Sequence, residues 1–239
     1  MPKPYIPNDE WSRKAAAEGY RARSVYKLME LDEKFGLLKP GMKVLDCGAS
    51  PGSWLQYTAA QIGPKGRAIG IDLTPIAPIA DNVKTFIVDM KDRVAVDEVL
   101  SEEMKFPERG QEGNMARGQN VSPPESNPTY QASPTSFLSS QTSPFDLVLS
   151  DIAPSTSGIA DVDQWRSIEL NQMVAEVAQH WLKPGGRCVL KVFRGADFDQ
   201  FLWELKRNWA EVKPAHVATS RDRSKEIYLV MRKAPSSKP

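Results

Sequence analysis

Four aspartates, Asp46, Asp72, Asp89 and Asp151, stand at or beside the ends of apolar runs, in VLDCG, IGIDL, FIVDM and LVLSD. Such runs read as strands of a sheet covered on both faces, and ligands of open α/β sheets bind beyond the carboxyl ends of the strands. Four acids on one rim are more than solvation requires. The first run continues as VLDCGASPGSW, in which Gly48, Pro51 and Gly52 leave a turn bare enough for a ligand to approach the backbone. Asp72 follows Gly52 by 20 residues, the placing of a second-strand acid that takes a ribose hydroxyl pair.

Two cofactors fit an acid in that position, a nicotinamide dinucleotide and S-adenosylmethionine. The dinucleotide fingerprint, G-x-G-x-x-G, seats a pyrophosphate on a helix N-terminus. This chain has D-x-G-x-x-P-G instead, and Asp46 would repel a pyrophosphate. S-adenosylmethionine carries no phosphate, and its sulfonium and ammonium would be drawn to Asp46. Asp89, one strand further, is placed to meet the adenine amino group. Trp54 fits a pocket wall and a core position equally well. The spacing favours a methyltransferase over a dehydrogenase.

Lysines supply the second set of candidates. Lys27 lies in SVYKL on a basic N-terminal helix, and Lys191 lies in VLKVFRG within an apolar strand. Asp151 is followed by Pro154 in LSDIAP, and Glu226 opens the last strand in SRDRSKEIYLV. Singly, each has an ordinary explanation: a solvated helix charge for Lys27, a snorkelling side chain for Lys191, a strand-edge charge for Glu226. Lys191 is the hardest to explain that way, because a lysine between Leu190 and Val192 in a central strand needs a partner.

Together these features resemble the FtsJ-like family of RNA ribose 2′-O-methyltransferases, from Ser12 to Arg232, with residues 107–144 as the main addition. The resemblance implies a Rossmann-like, S-adenosylmethionine-dependent α/β fold with a mostly parallel seven-stranded sheet and helices on both faces. It implies a catalytic tetrad on Lys27, Asp151, Lys191 and Glu226, with Lys191 central as base or as hydroxyl-orienting group. It implies cofactor contacts at Gly52, Trp54, Asp72, Asp89 and Asp151, beside Asp46 and Gly48 from the residues themselves. No metal is expected. The family motif has a second glycine before the tryptophan, where this chain has Ser53. Members act on large-subunit ribosomal RNA, on the tRNA anticodon loop or on mRNA caps. The compact length is most like the bacterial type, which methylates a uridine of 23S rRNA in the large ribosomal subunit. A tRNA substrate and a non-catalytic RNA-binding assembly factor are the alternatives.

These residues need a frame. Residues 9–35 read as one helix with a stripe of Val25, Leu28, Met29 and Leu31, ended by Gly36. Strands and helices then alternate: MKVLDCG, the helix SWLQYTAAQIG, RAIGIDL, VKTFIVDM, the helix DEVLSEEMKF, FDLVLSD, the helix DQWRSIELNQMVAEVAQHWL, RCVLKVF, the helix FDQFLWELKRNWA and EIYLVM. Residues 107–144 are rich in Ser, Pro, Gly, Gln and Asn, and too poor in apolar residues to offset the entropy of ordering them. They read as a disordered insertion in one methyltransferase domain spanning 1–239, with 1–40 its basic N-terminal region.

Composition sets the remaining limits. With 41% hydrophobic and 26% charged residues the chain is an ordinary soluble protein. Cys47 and Cys188 lie far apart inside apolar runs, which suits buried free thiols rather than zinc or a disulfide. No leader-like apolar segment or membrane span is evident, so a cytoplasmic protein is expected; a monomer is expected separately, with nothing in the sequence deciding it. The net charge of +1 hides an asymmetry, because residues 1–27 and the segment from Lys183 onward are both basic. If the two ends meet, Arg13, Lys14, Arg21, Arg23, Arg194, Arg221, Arg223 and Lys225 form a footprint for RNA phosphates.

Overall fold

The computed structural model describes residues 9–105, 145–155, 157–219 and 225–236. The expected insertion at 107–144 therefore lies outside the described residues. Seven strands form one sheet: β1 (Lys43–Cys47), β2 (Arg67–Asp72), β3 (Val83–Ile87), β4 (Phe145–Ser150), β5 (Leu182–Phe193), β6 (Glu211–Ala215) and β7 (Glu226–Arg232). The helices are α1 (Glu10–Ala17), α2 (Val25–Phe35), α3 (Ser53–Ile62), α4 (Arg93–Lys105), α5 (Ala160–Trp181) and α6 (Phe198–Asn208). The strand order is β3-β2-β1-β4-β5-β7-β6, parallel from β3 to β5, with β7 antiparallel to both β5 and β6. This is the mostly parallel seven-stranded sheet that was expected.

Alternation along the strands sends side chains to two apolar layers. Cys188, Leu190 and Val192 of β5 pack with α5 and α6 residues such as Val174, Ala178 and Leu205. Val189 of the same strand joins Leu28, Leu31, Trp54 and Tyr228 on the face covered by α2 and α3. Both cysteines are buried free thiols, and burial pushes both above their ordinary range.

Two elements differ from the sequence expectation. The N-terminal helix is two helices, α1 and α2, separated at Gly19, whose φ of +81° suits glycine. The intervening chain is drawn onto α3: the Arg21 amide donates to Gln56 Oε1 at 2.9 Å, and Gln56 Nε2 donates to the Gly19 carbonyl at 2.9 Å. Periodicity does not register that tertiary clip. The other difference is β6, absent from the expected alternation, which contains Pro214, a residue that argues against a central strand. It is an edge strand, where a missing N–H costs no ladder bond.

Candidate active site

The strand order reverses at β1, which has β2 on one side and β4 on the other. A crevice opens at such a switch point. Asp46 sits there in β1, opposite Gly70 of β2 and Leu149 of β4. It is 1% exposed, and its Oδ2 has no hydrogen-bond partner among the described residues. Burial, with the charges of Asp151 and Asp72, pushes its carboxyl well above the usual range. Asp72, ending β2, accepts from the amides of Ser50 at 2.9 Å and Thr74 at 2.8 Å. Asp89, exposed beyond β3, accepts from the Lys91 amide at 2.9 Å.

The glycines of this turn are required by the space. Gly48 has φ +76°, and a Cβ there would fall 2.7 Å from Ile152 Cβ. Gly52 has φ +102°, and its Cβ would lie 2.9 Å from Ile79 Cδ1. A buried acid with an unmatched oxygen, beside two further acids, is a receptor for positive charge. The residues therefore fit a cofactor that brings a cation to the switch point. They do not fit a pyrophosphate.

The other half of the rim holds the lysines. Lys191, 5% exposed, lies on β5 with Nζ 3.1 Å from Asp151 Oδ1, and it also donates to the Asp151 carbonyl. Lys27, 8% exposed, is in the first turn of α2, with Nζ 2.6 Å from Glu226 Oε2 at the start of β7. The four residues named from sequence thus form two ion pairs. Tyr228 joins them, its hydroxyl donating to Asp151 Oδ1 at 2.8 Å and its ring lying 5.9 Å from Lys27 Nζ. Burial, then the charges of Asp151 and Glu226, push its phenol well up, so it stays a donor. Sequence reasoning missed Tyr228, although period-two alternation puts it on the same strand face as Glu226, and it pairs in register with Lys191.

Trp54 is buried at the start of α3. It is 3% exposed, its indole N–H donates to the Ser24 carbonyl at 2.8 Å, and its ring lies 6.1 Å from that of Tyr228. Among the basic residues, Arg13 and Lys14 are exposed on α1, with Lys14 Nζ 5.3 Å from the Trp11 ring and 5.0 Å from the Tyr26 ring. Arg194 and Lys225 are exposed beside the tetrad, joined by an Arg194 amide to Lys225 carbonyl bond of 2.8 Å. Arg23 pairs with Asp9, and Arg21 donates to the carbonyls of Pro51, Ala77 and Pro78. Arg221 and Arg223 lie outside the described residues.

Comparison with known proteins gives this geometry a family. A family model described as FtsJ-like methyltransferase matches residues 20–234. A protein of Bdellovibrio bacteriovorus named ribosomal RNA large subunit methyltransferase E is 38% identical over 226 residues, covering 95% of this chain and 96% of the relative. A protein of the same name from Syntrophobacter fumaroxidans is also 38% identical, covering 95% of each chain. A crystal structure described as a ribosomal RNA methyltransferase from Plasmodium falciparum superposes with a TM-score of 0.65 at 25% identity, covering 90% of this chain and 98% of the other. With its acidic switch point, its two buried lysines and a match over most of its length, the chain belongs to the FtsJ-like methyltransferase family.

Proposed function

We propose that this protein transfers a methyl group from S-adenosylmethionine to the ribose 2′-hydroxyl of a uridine in 23S rRNA of the large ribosomal subunit, in the cytoplasm. The observation that carries the chemistry is the pairing of two buried lysines with carboxylates beside an acid that has an unmatched oxygen. The large-subunit substrate rests on the relatives' names and on near full-length coverage.

When bound, the cofactor supplies a methyl group on a positively charged sulfur. Asp46 and Asp72 would hold the cofactor's cationic and ribose groups at the switch point. Asp89 would meet the adenine. Lys191 would hold the substrate. Two of the directions around its Nζ are occupied by the Asp151 carbonyl and carboxylate. The remaining one has no partner among the described residues and would fix the ribose 2′-oxygen in line with the methyl carbon. Alignment of this kind is a large part of what a reactive sulfonium needs from a protein. Lys27, held by Glu226, would add positive charge against the neighbouring phosphate. Arg13, Lys14, Arg194 and Lys225 would bind flanking phosphates, with a salt-dependent affinity and little base selectivity.

The test is transfer of labelled methyl from S-adenosylmethionine to isolated large subunits, free 23S rRNA and bulk tRNA. Label on a large-subunit ribose, blocking alkaline cleavage at one linkage, is the expected result. Label on tRNA would keep the chemistry and overturn the substrate. Label on a base would overturn the role given to Lys191.

A further inference from the structure

Arg21 has the sequence context of a phosphate contact, but its guanidinium is engaged elsewhere. Nη1 donates to the Pro51 carbonyl at 3.1 Å and to the Ala77 carbonyl at 2.8 Å, and Nη2 donates to the Pro78 carbonyl at 2.7 Å. Its own amide is held by Gln56 of α3. Pro51 belongs to the turn between β1 and α3, and Ala77 and Pro78 belong to the segment after β2. These are the two segments that flank Asp72.

Asp72 ties the same two segments together from the strand end. One carboxylate oxygen takes the Ser50 amide and the other the Thr74 amide. Arg21 makes a second, separate tie further along both segments. Between them the fit is close: a Cβ on Gly52 would lie 3.0 Å from Arg21 Nη1, 3.0 Å from Ile76 Cγ2 and 2.9 Å from Ile79 Cδ1. A planar fork of fixed donors suits three carbonyls from two segments. A lysine, with one nitrogen and no fork, would reach fewer of them at once.

We infer that Arg21 is a positioning residue for the cofactor, a clasp that sets the separation of the β1–α3 turn and the segment after β2, and not an RNA phosphate contact. The inference rests on the proposed function for the identity of the cofactor. It also gives the break between α1 and α2 a purpose, since a continuous helix would not deliver the Arg21 backbone to Gln56.

The test compares wild type, Arg21→Ala and Arg21→Lys in three assays: S-adenosylmethionine binding by calorimetry, 23S rRNA binding as a function of salt, and turnover at varied cofactor. Arg21→Ala is expected to raise the cofactor Kd and KM by about tenfold, with kcat at saturating cofactor within about twofold of wild type. Arg21→Lys keeps the charge and is expected to raise KM by an intermediate factor, and both variants should keep the wild-type salt slope for RNA. Lysine also guards against misfolding, since it retains the stem and the charge. An unchanged cofactor Kd in both variants, with a salt slope for Arg21→Ala lower by about one, would overturn the inference and make Arg21 a phosphate contact. Wild type that binds no S-adenosylmethionine would overturn the proposed function itself, and the clasp with it.

Discussion

The rim of the sheet has two halves that treat charge in opposite ways. Over β1, β2 and β3 stand Asp46, Asp72 and Asp89; backbone amides hold the last two, while an oxygen of Asp46 is buried without a partner among the described residues. Over β4, β5 and β7 stand Asp151, Lys191 and Glu226, joined by Lys27 from α2, and there each lysine has its own carboxylate. Both halves bury charge, which is costly unless it is paired. The lysine half is paired within the protein. On the proposed function, the acidic half would be completed by a cation that the cofactor brings. Asp151, the last acid before the lysines, faces both, since its charge acts on Asp46 while its oxygen holds Lys191.

If the halves divide the work in this way, substitutions in each should fail differently. The largest effect is expected for Lys191→Ala, which should lower methyl transfer by about a thousandfold, within the range typical of positioned proton-handling and orienting groups. Single-turnover transfer to large subunits measures it. Next is Asp46→Asn, which should weaken cofactor binding by about thirtyfold, equivalent to about 2 kcal/mol for a hydrogen bond to a charged group.

Asp46→Asn should also make the stability of the free protein less sensitive to rising pH. The folded-state pKa of Asp46 is raised, so its favourable contribution is complete below the unfolded-state pKa and is lost as pH rises through the folded one. Melting curves taken at rising pH from the ordinary carboxylate range should show wild type losing stability and the variant losing less. Asp163 provides the opposite case, since the Ser157 amide and hydroxyl and the Gly158 amide hold its carboxyl below the usual range. Its contribution is present above the unfolded-state pKa and lost as pH falls through the folded one.

A smaller effect, from crowding and backbone strain together, is expected at the turn between the halves. Gly48→Ala places a Cβ 2.7 Å from Ile152 Cβ at a φ of +76°. The cost should be about 1–3 kcal/mol, as for overpacking in a tight site. A lowered melting temperature with Lys191-dependent transfer still detectable is the expected outcome. Asp163→Asn should have the smallest effect, a flatter loss of stability between pH 6 and pH 3, read from the same melting curves.

Much of this division was legible in the sequence, because strand ends announce themselves. VLDCG, IGIDL and LVLSD put their acids where apolar runs stop, and VLKVFRG puts a lysine where only a partner makes it tolerable. The D-x-G-x-x-P-G turn argued against a pyrophosphate before any geometry was known. Features set by tertiary contact were not legible. The stretch from Asp9 to Phe35 has helical composition throughout, yet Gln56 interrupts it. Arg21 and Arg23 read only as charges in a basic segment, and their partners Pro51, Ala77, Pro78 and Asp9 come from distant parts of the chain or from a fold the composition does not show. The edge strand β6 contains Pro214, which argues against a central strand. Tyr228 was hidden among the apolar residues of EIYLVM, although alternation with Glu226 was a usable signal.

The most direct measurement is a crossed one on Asp46→Asn and Lys191→Ala: cofactor Kd for each, and the single-turnover rate of each with cofactor saturating and large subunits as substrate. A divided rim predicts that Asp46→Asn loses affinity and recovers most of its rate at saturation, while Lys191→Ala keeps its affinity and loses its rate. Equal losses of affinity and rate in both variants, or wild-type transfer by Lys191→Ala, would contradict it.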